Sequence, residues 1–443
     1  MRKIVISTIV LLFSLSVQAK VIQVLPGHNT LQPAFEQAIN GDTVVLVEGN
    51  YTTDGYVQVD AAITLRSISP EVTPVVFIGN GLSIQFDAQG PVTVQGVHFA
   101  SSVVDGNCYV RFSAEQNHLI NNRFSTCKVT ADKASYVVGN GFYNAPFSTF
   151  NPVFTLFGSN TVSTSKGNGT PAVQIGGAES YVIGNTVSCL STSTSKNCVG
   201  ITVLGNRAYV VANRINHRVS ELLSFGTSTF INMLNVTASQ SYVSSNLVHF
   251  LNGDNFFTAA GKVQPIIASG ISNVVNNVVY VTGDMAEATD ADNSIGIRMS
   301  GASVIGDVQN NIVANFPGTA MSSDNQVDAL EFKFNLCYNN KDNSACDAAK
   351  GNLIADPLFV DTTHFILSNT SPAINTGNPV LHLSDLNGSR ADMGIHGGKY
   401  GFSQYDVQRA ASDNPYIYPL FSEVNLTKVD EVTVKAVSIA RFK

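Results

Sequence analysis

Apolar residues along this chain keep no helical period. Short runs such as "SYVVGN", "SYVIGN", "AYVVAN", "SYVSSN" and "NVVNN" recur instead, and this pattern predicts short strands closed by turns. Aligned on their last asparagine, these runs bring Asn122, Asn140, Asn160, Asn185, Asn213, Asn246, Asn277, Asn311 and Asn335 into one series, at intervals of 18, 20, 25, 28, 33, 31, 34 and 24 residues. A motif that persists while its period varies marks a solenoid whose coils carry loops of different sizes. The expected fold class is all-β, a parallel β-helix with coils stacked about 4.8 Å apart. Stacking places like on like, so Val137, Ile183, Val211 and Val275 are assigned to the dry interior. The asparagines are assigned to a ladder of axial amide bonds, at a turn that tolerates a left-handed backbone. Replacing one of them with leucine is expected to cost roughly 1–3 kcal/mol.

The ends of the solenoid are also legible. In "NTLQPAFEQAIN", Leu31, Phe35 and Ala38 fall on one face of a short N-terminal capping helix, with Asn29 or Thr30 as N-cap, suited to covering the open edge of the first coil. The segments "GDTVVLVEGNYT", "AITLRSIS" and "VTVQGVHFASS" alternate as half-buried strands, with Gly96 taking the asparagine position one coil before Asn122. After Gly398, "PYIYPLFSEVNLTKVDEVTVKAVSIARFK" alternates like two strands joined near 428–431, too short for a core of their own. The expected division is a leader at 1–19, a β-helix at 20–400 and an extension at 401–443 that folds back along the cylinder.

Composition bears mainly on compartment and partners. Arg2 and Lys3, the apolar run 4–17 and the small residues of Val17-Gln18-Ala19 form an export leader cleaved after Ala19. The product is expected to be a secreted or periplasmic monomer, because no later apolar run approaches the roughly 20 residues of a membrane span. The 443 residues carry a net charge of −7, more negative once the two leader cations are removed, which disfavours nucleic acid as a partner. Six cysteines fall into close pairs, Cys108/Cys127, Cys189/Cys198 and Cys337/Cys346. Proximity favours three local disulfides among the possible pairings, and no pair has the short spacing of a zinc site.

The opening "AINGDTVVLVEGNYT", "ITLRS" and "VTVQGVHF" resembles secreted right-handed parallel β-helix proteins that act on acidic polysaccharides, in particular the chondroitinase-B and alginate lyase family. "DPLFVD", "FILSNTSPAINTGNP" and "DLNGSRADMGIHGG" resemble the closing coil of many such proteins. The resemblance covers about 21–398 and implies a right-handed helix, a polysaccharide or cell-surface glycan as partner, and β-elimination next to a uronate. It also implies a calcium site, then a Glu followed by two aliphatic residues and Ser, a catalytic Lys, and an Arg one coil later. Glu221, Leu222, Leu223 and Ser224 echo that run, but Phe225 and Gly226 stand where the lysine belongs. Hydrolysis by clustered aspartates is not supported, for the chain has no Asp-Asp pair. His396 in "GIHGG" follows the closing "RADMG" and reads as an end-cap residue.

Loop length points to where chemistry sits. The coils between Asn185 and Asn311 are the longest, so their excess projects as loops at 214–227, 247–261 and 278–293, holding His217, Arg218, Glu221 and His249. Phe250, Phe256 and Phe257 in these loops are candidates for stacking on sugar rings. Beside them "AVQIGG", "GITVLG", "MLNVTA", "IIASG" and "IRMSG" align Gln174, Thr202, Asn235, Ile267 and Arg298 as one outward row. Gln174, Thr202, Asn235, Arg218, Glu221 and His249 are thus the candidate glycan contacts. In "TGDMAEATDADNS", Asp284, Glu287, Asp290 and Asp292 make an oxygen-rich cluster that suits calcium, beside Arg298, with Lys262 as candidate base. The same residues also read as solvated loops and strand faces around a non-catalytic glycan-binding β-helix. Glu179 and Arg207 are expected to form an exposed salt bridge, and Tyr136, Tyr181, Tyr209 and Tyr242 a structural column.

Overall fold

The computed structural model describes residues 18–70, 73–79, 81–101, 108–150, 152–165, 168–191, 197–219, 229–251, 261–283, 294–324, 330–380, 383–402, 416–420 and 435–439. Each coil contributes three strands, and strands of successive coils pair in parallel, so the cylinder has three faces. Face 1 stacks strands such as Cys108–Phe112, Cys127–Ala131, Phe147–Thr149 and Asn168–Ile175. Face 2 stacks Gln116–Ile120, Ala134–Val138, Phe154–Gly158 and Glu179–Ile183. In the longest coils the two run on as single bent strands, Asn197–Val211, Thr229–Ser244, Gly261–Val275 and Ile295–Gln309. Face 3, from Gly27–His28 to Leu353–Ile354, follows the asparagine turn. The parallel β-helix inferred from the repeat is the fold observed.

Alternation along each strand sends one set of side chains inward. On face 2 that row is Leu119, Val137, Phe157, Val182, Val210, Val243, Val274 and Val308, each fully buried, and burying each contributes about 1.5–3 kcal/mol. Aromatic side chains stack in the same way, Phe99 on Phe124 at 5.5 Å and Phe124 on Phe142 at 5.0 Å. The assignment of Ile183, Val211 and Val275 to this row is corrected by one residue. They stand a place later than Val137 and point outward, and Ile183 and Val211 belong to a second apolar cluster outside the cylinder.

That second cluster exists because the chain doubles back. Past the last coil, a strap retraces the corner between faces 2 and 3. Arg390 lies over Phe334, the Gly394 amide donates to Asn310 O, Tyr400 meets Tyr242 edge-on, and Phe402 lies under Arg214. Phe365, Met393, Ile395 and Phe402 of the strap close over Ile183, Val211, Leu247, Val278 and Ile312. The sequence placed such a return only after Gly398, whereas it is already under way by Phe359, whose ring meets Tyr280. Farther on, Tyr416–Leu420 and Lys435–Ile439 pair antiparallel.

The ladder is present, with one more rung than the repeat gave. Asn246 shows its wiring. Its Nδ2 donates to Val210 O at 2.8 Å and to Asn277 Oδ1 at 3.0 Å, while its Oδ1 accepts from the backbone N and Nδ2 of Asn213 at 3.0 and 2.9 Å. The same scheme links Asn122 through Asn335 to Asn352. The left-handed residue is not the rung but the residue before it: Gly139, Ser159, Gly184, Ala212, Ser245, Asn276 and Asn310 all have φ between 51° and 70°. Gly96, at φ 70°, holds that preceding position too, and the rung position is Val97, whose amide donates to Asn122 Oδ1. Asn-Asn pairs therefore divide the work. Asn276 and Asn310 turn their amides outward to the strap, to Asp392 O at 2.8 Å and from the Asn378 amide at 2.7 Å, while Asn277 and Asn311 hold the ladder.

At the corner between faces 1 and 2, backbone lies against backbone. Gly205 has φ 132°, and a Cβ there would overlap the carbonyl oxygen of Gly177 one coil below. The helix Leu31–Gln37 covers the first coil through Leu31, Ala34 and Phe35, with the Phe35 ring 6.5 Å from Phe86. Thr30 is its N-cap, but the hydroxyl makes no capping bond. The three disulfides join the expected pairs, and Cys108 and Cys127 are direct partners on face 1. Among the described residues no helix is long and apolar enough to cross a membrane.

Candidate functional site

Strand register settles where the outward row lies. Gln174 pairs with Thr202, Thr202 with Asn235, Asn235 with Ile267, Ile267 with Arg298, and Arg298 with Ser322. Their neighbours Val173, Ile201, Leu234, Ile266 and Ile297 face the core, so alternation turns the row to the outside of face 1. Successive side chains stand about one coil, 4.8 Å, apart along the axis. Thr202 and Ile267 are 8% and 9% exposed, so Gln174, Asn235 and Arg298 offer most of the polar surface.

Arg298 is held in a fork that the sequence did not reveal. Its Nε donates to Asp324 Oδ1 at 2.7 Å and its Nη2 to Oδ2 at 3.0 Å, and the Ser300 hydroxyl also donates to Oδ2. The guanidinium bonds, with smaller help from Ser300, hold the Asp324 carboxyl below its usual range. Asp324 lies one coil beyond Arg298 at the end of the strand Thr319–Ser323, and no motif marks it. The Nη1 group is not used by this fork, so the guanidinium retains donors for a ligand oxygen. Lys262 is on face 1 as well, five residues up the strand from Ile267, the partner of Arg298. At the rise of an extended chain that separates the two backbones by about 16 Å, and the bond to Asp324, two residues past Ser322, draws the Arg298 guanidinium away from Lys262.

Arg218 and His249 belong to a different face. The segments expected to be loops begin as face 3 strands, Arg214–Val219, Leu247–Leu251 and Val278–Val281. His217 points inward, fully buried, with Nε2 2.9 Å from the Ser191 hydroxyl and its ring 5.7 Å from that of Phe250, which is interior too. His249 points outward but lies beneath the strap, 7% exposed, its Nε2 2.7 Å from Thr282 Oγ1 and its ring edge-on to Phe365. Arg218 is exposed on that face. The structure thus assembles Gln174, Thr202, Asn235 and Arg298 and separates Arg218 and His249 from them. Glu221, Phe256, Phe257, Asp284, Glu287, Asp290 and Asp292 lie outside the described residues. Among the described residues no three His, Cys, Asp or Glu side chains converge as metal ligands.

Burial sets the histidine chemistry. It pushes His217 down to about 3, and with Arg214 nearby it pushes His249 down to about 4; His98 falls to about 4 through burial and Arg123. These rings are neutral in the fold and would take up protons on unfolding once the pH drops below their ordinary value near 6.5. Their contribution to stability is therefore complete above about pH 6.5 and is lost as pH falls toward 4. The melting temperature is expected to fall across that window, and less steeply in His249→Gln; equal slopes would remove His249 from the account.

No family model matches the chain, and no curated protein matches it. Similar solved structures include a PL6 alginate lyase in complex with a trisaccharide, 11% identical over 74% of this chain and 80% of that one, with a TM-score of 0.35. The PL6 family alginate lyase AlyGC is 12% identical over 80% of this chain and 56% of that one, TM-score 0.33. Pectate lyase Pel9A is 14% identical over 86% of this chain and 96% of that one, TM-score 0.36.

Proposed function

We propose that this is an exported β-helix protein that binds a linear, uronate-containing polysaccharide along face 1, with the polymer parallel to the cylinder axis. The observation that carries the reading is the register of Gln174, Thr202, Asn235 and Arg298. A row of hydrogen-bonding groups repeating once per coil suits a ligand that also repeats along a line. Arg298, pinned by Asp324, offers its remaining donors to a carboxylate without first having to be ordered.

Cleavage by β-elimination is the second reading, favoured by the sequence resemblance and by Lys262 and Arg298 sharing one face. In it Lys262 would take the C5 proton beside the uronate carboxylate, the C4–O bond would break to form the C=C bond and release the protonated glycosyl hydroxyl, and Asp284, Glu287, Asp290 and Asp292 would be the residues to hold a calcium ion, which would supply charge to screen that carboxylate. The wide separation of Lys262 from Arg298 favours binding over this reaction.

Calorimetry with alginate, pectin and chondroitin sulfate, in the presence of calcium, tests both readings. At least one polymer is expected to bind, and Asn235→Ala to weaken it about tenfold, the value of one or two hydrogen bonds. Binding by none of the three would end the proposal. A rising absorbance from new C=C bonds in the same mixtures, lost in Lys262→Ala, would select elimination.

A further inference from the structure

Face 2 carries a concavity unrelated to the face 1 row. Across three coils, Arg207, Gln240 and Ile271 are register partners, and so, two residues on, are Tyr209, Tyr242 and Asn273. Together they line a shallow pocket of about 200 Å³, the scale of a single ring rather than of a polymer.

The chemistry of its wall is specific. The Tyr209 ring stacks on Tyr181 at 5.0 Å and 9°, and Tyr242 meets Tyr400 of the strap at 5.7 Å and 79°, so both rings are fixed before any ligand arrives. Ile271 is 49% exposed and extends the apolar floor. Asn273 Oδ1 accepts from the Asp307 amide at 3.3 Å, which leaves its NH₂ as a donor. Arg207 is exposed. Glu179, its register partner, accepts instead from the Tyr181 hydroxyl at 2.6 Å, so the expected Glu179–Arg207 salt bridge is not formed, and Arg207 has no ion pair among the described residues. In a chain of net charge −7, an exposed guanidinium beside ordered aromatic rings and two amides is a local exception to the surrounding field.

We infer that this pocket is a saccharide site for an anionic sugar unit. Its acid group meets Arg207, its hydroxyls meet Gln240 and Asn273, and a ring face lies on Tyr209, Tyr242 and Ile271. Apolar ring faces together with fanned hydrogen-bond donors suit a pyranose, which presents C–H groups on its faces and hydroxyls at its edge. A flat aromatic ligand would leave the amides unpaired, at a cost. The site lies on another face from Gln174, Asn235 and Arg298, and it stands or falls separately from them.

Short oligosaccharides titrated by calorimetry into the full chain test it: oligogalacturonate as a carboxylated probe, a sulfated disaccharide as the other anion source, and cellotriose as the neutral control. An anionic probe is expected to bind, with the two anions reporting which acid group is preferred, and cellotriose to bind at least about tenfold more weakly. Arg207→Ala, on an exposed side chain, should fold normally and lower affinity for the anionic probe about tenfold or more, also in an Asn235→Ala background that weakens the face 1 row, whereas Arg111→Ala, an exposed arginine of face 1 outside that row, should leave it unchanged. Absence of binding by the parent, equal binding of cellotriose, or full affinity in Arg207→Ala would each overturn the assignment.

Discussion

Gly205→Ala is expected to destabilise the protein by about 3–5 kcal/mol although it adds only a methyl group. Two costs combine. The residue sits at φ 132°, which an L side chain rarely adopts, and the new Cβ would overlap the Gly177 carbonyl, a backbone atom that no rotamer change can move aside. That carbonyl also accepts from the Asn206 amide at 3.2 Å, so relieving the overlap stretches a bond between coils. Gly55→Ala is the control, since a Cβ there meets nothing within 4 Å, and its effect should stay within about 0.5 kcal/mol. Thermal melts followed by circular dichroism distinguish the two. Matching melting temperatures would mean that the corner between faces 1 and 2 has slack the geometry denies.

Asn246→Leu is the second large effect. Removing this amide strips its bonds from Val210 O and the Asn213 amide in a fully buried turn, and leaves Asn213 Nδ2 with only its bond to Val182 O. Each orphaned group costs about 1–3 kcal/mol, so the total should reach about 3–5 kcal/mol after local relaxation. That exceeds what a lone turn asparagine would imply, because a rung belongs to two neighbours. A stacked array need not unfold in one step, so amide hydrogen exchange is the sharper readout. Protection should drop first in the coils carrying Asn213, Asn246 and Asn277. Loss spread evenly over the cylinder, or no loss, would contradict a ladder that passes its bonds from rung to rung.

The fold was legible because a solenoid repeats its instructions. Nine asparagines spoke with one voice, and even variable intervals could not hide them. What escaped was parity and distance. Val137 and Ile183 look equivalent beside their asparagines, yet a shift of one residue sends them to opposite sides of the wall, and only the strap makes the outer position apolar. The strap itself left a trace in the Asn-Asn pairs at 276–277 and 310–311, where one amide serves each side of the turn. At the candidate site, the row from Gln174 to Arg298 followed from aligning strands. The Arg298–Asp324 fork did not, because it joins separate coils through residues with no shared motif. His217 and His249 were placed in loops because their coils are long, but the alternation of Ile215, His217, Val248 and Phe250 was there to be read as strand.

The asparagine corner also fixes where this molecule can vary. With every rung bonded to the next, coil length is held at that turn and is taken up elsewhere, chiefly between faces 3 and 1, and in the later coils also between faces 1 and 2, where Ser323 and Leu330 stand farther apart in sequence than Ala131 and Ala134. Between faces 3 and 1, Arg218 and Leu251 end side by side, and Thr229 and Gly261 begin side by side. New chain grafted between such paired ends would be read by its neighbours in adjacent coils and ignored by the ladder. The cylinder is in that sense a display rack, able to exchange what it presents at its open corners while the asparagine turn keeps its register.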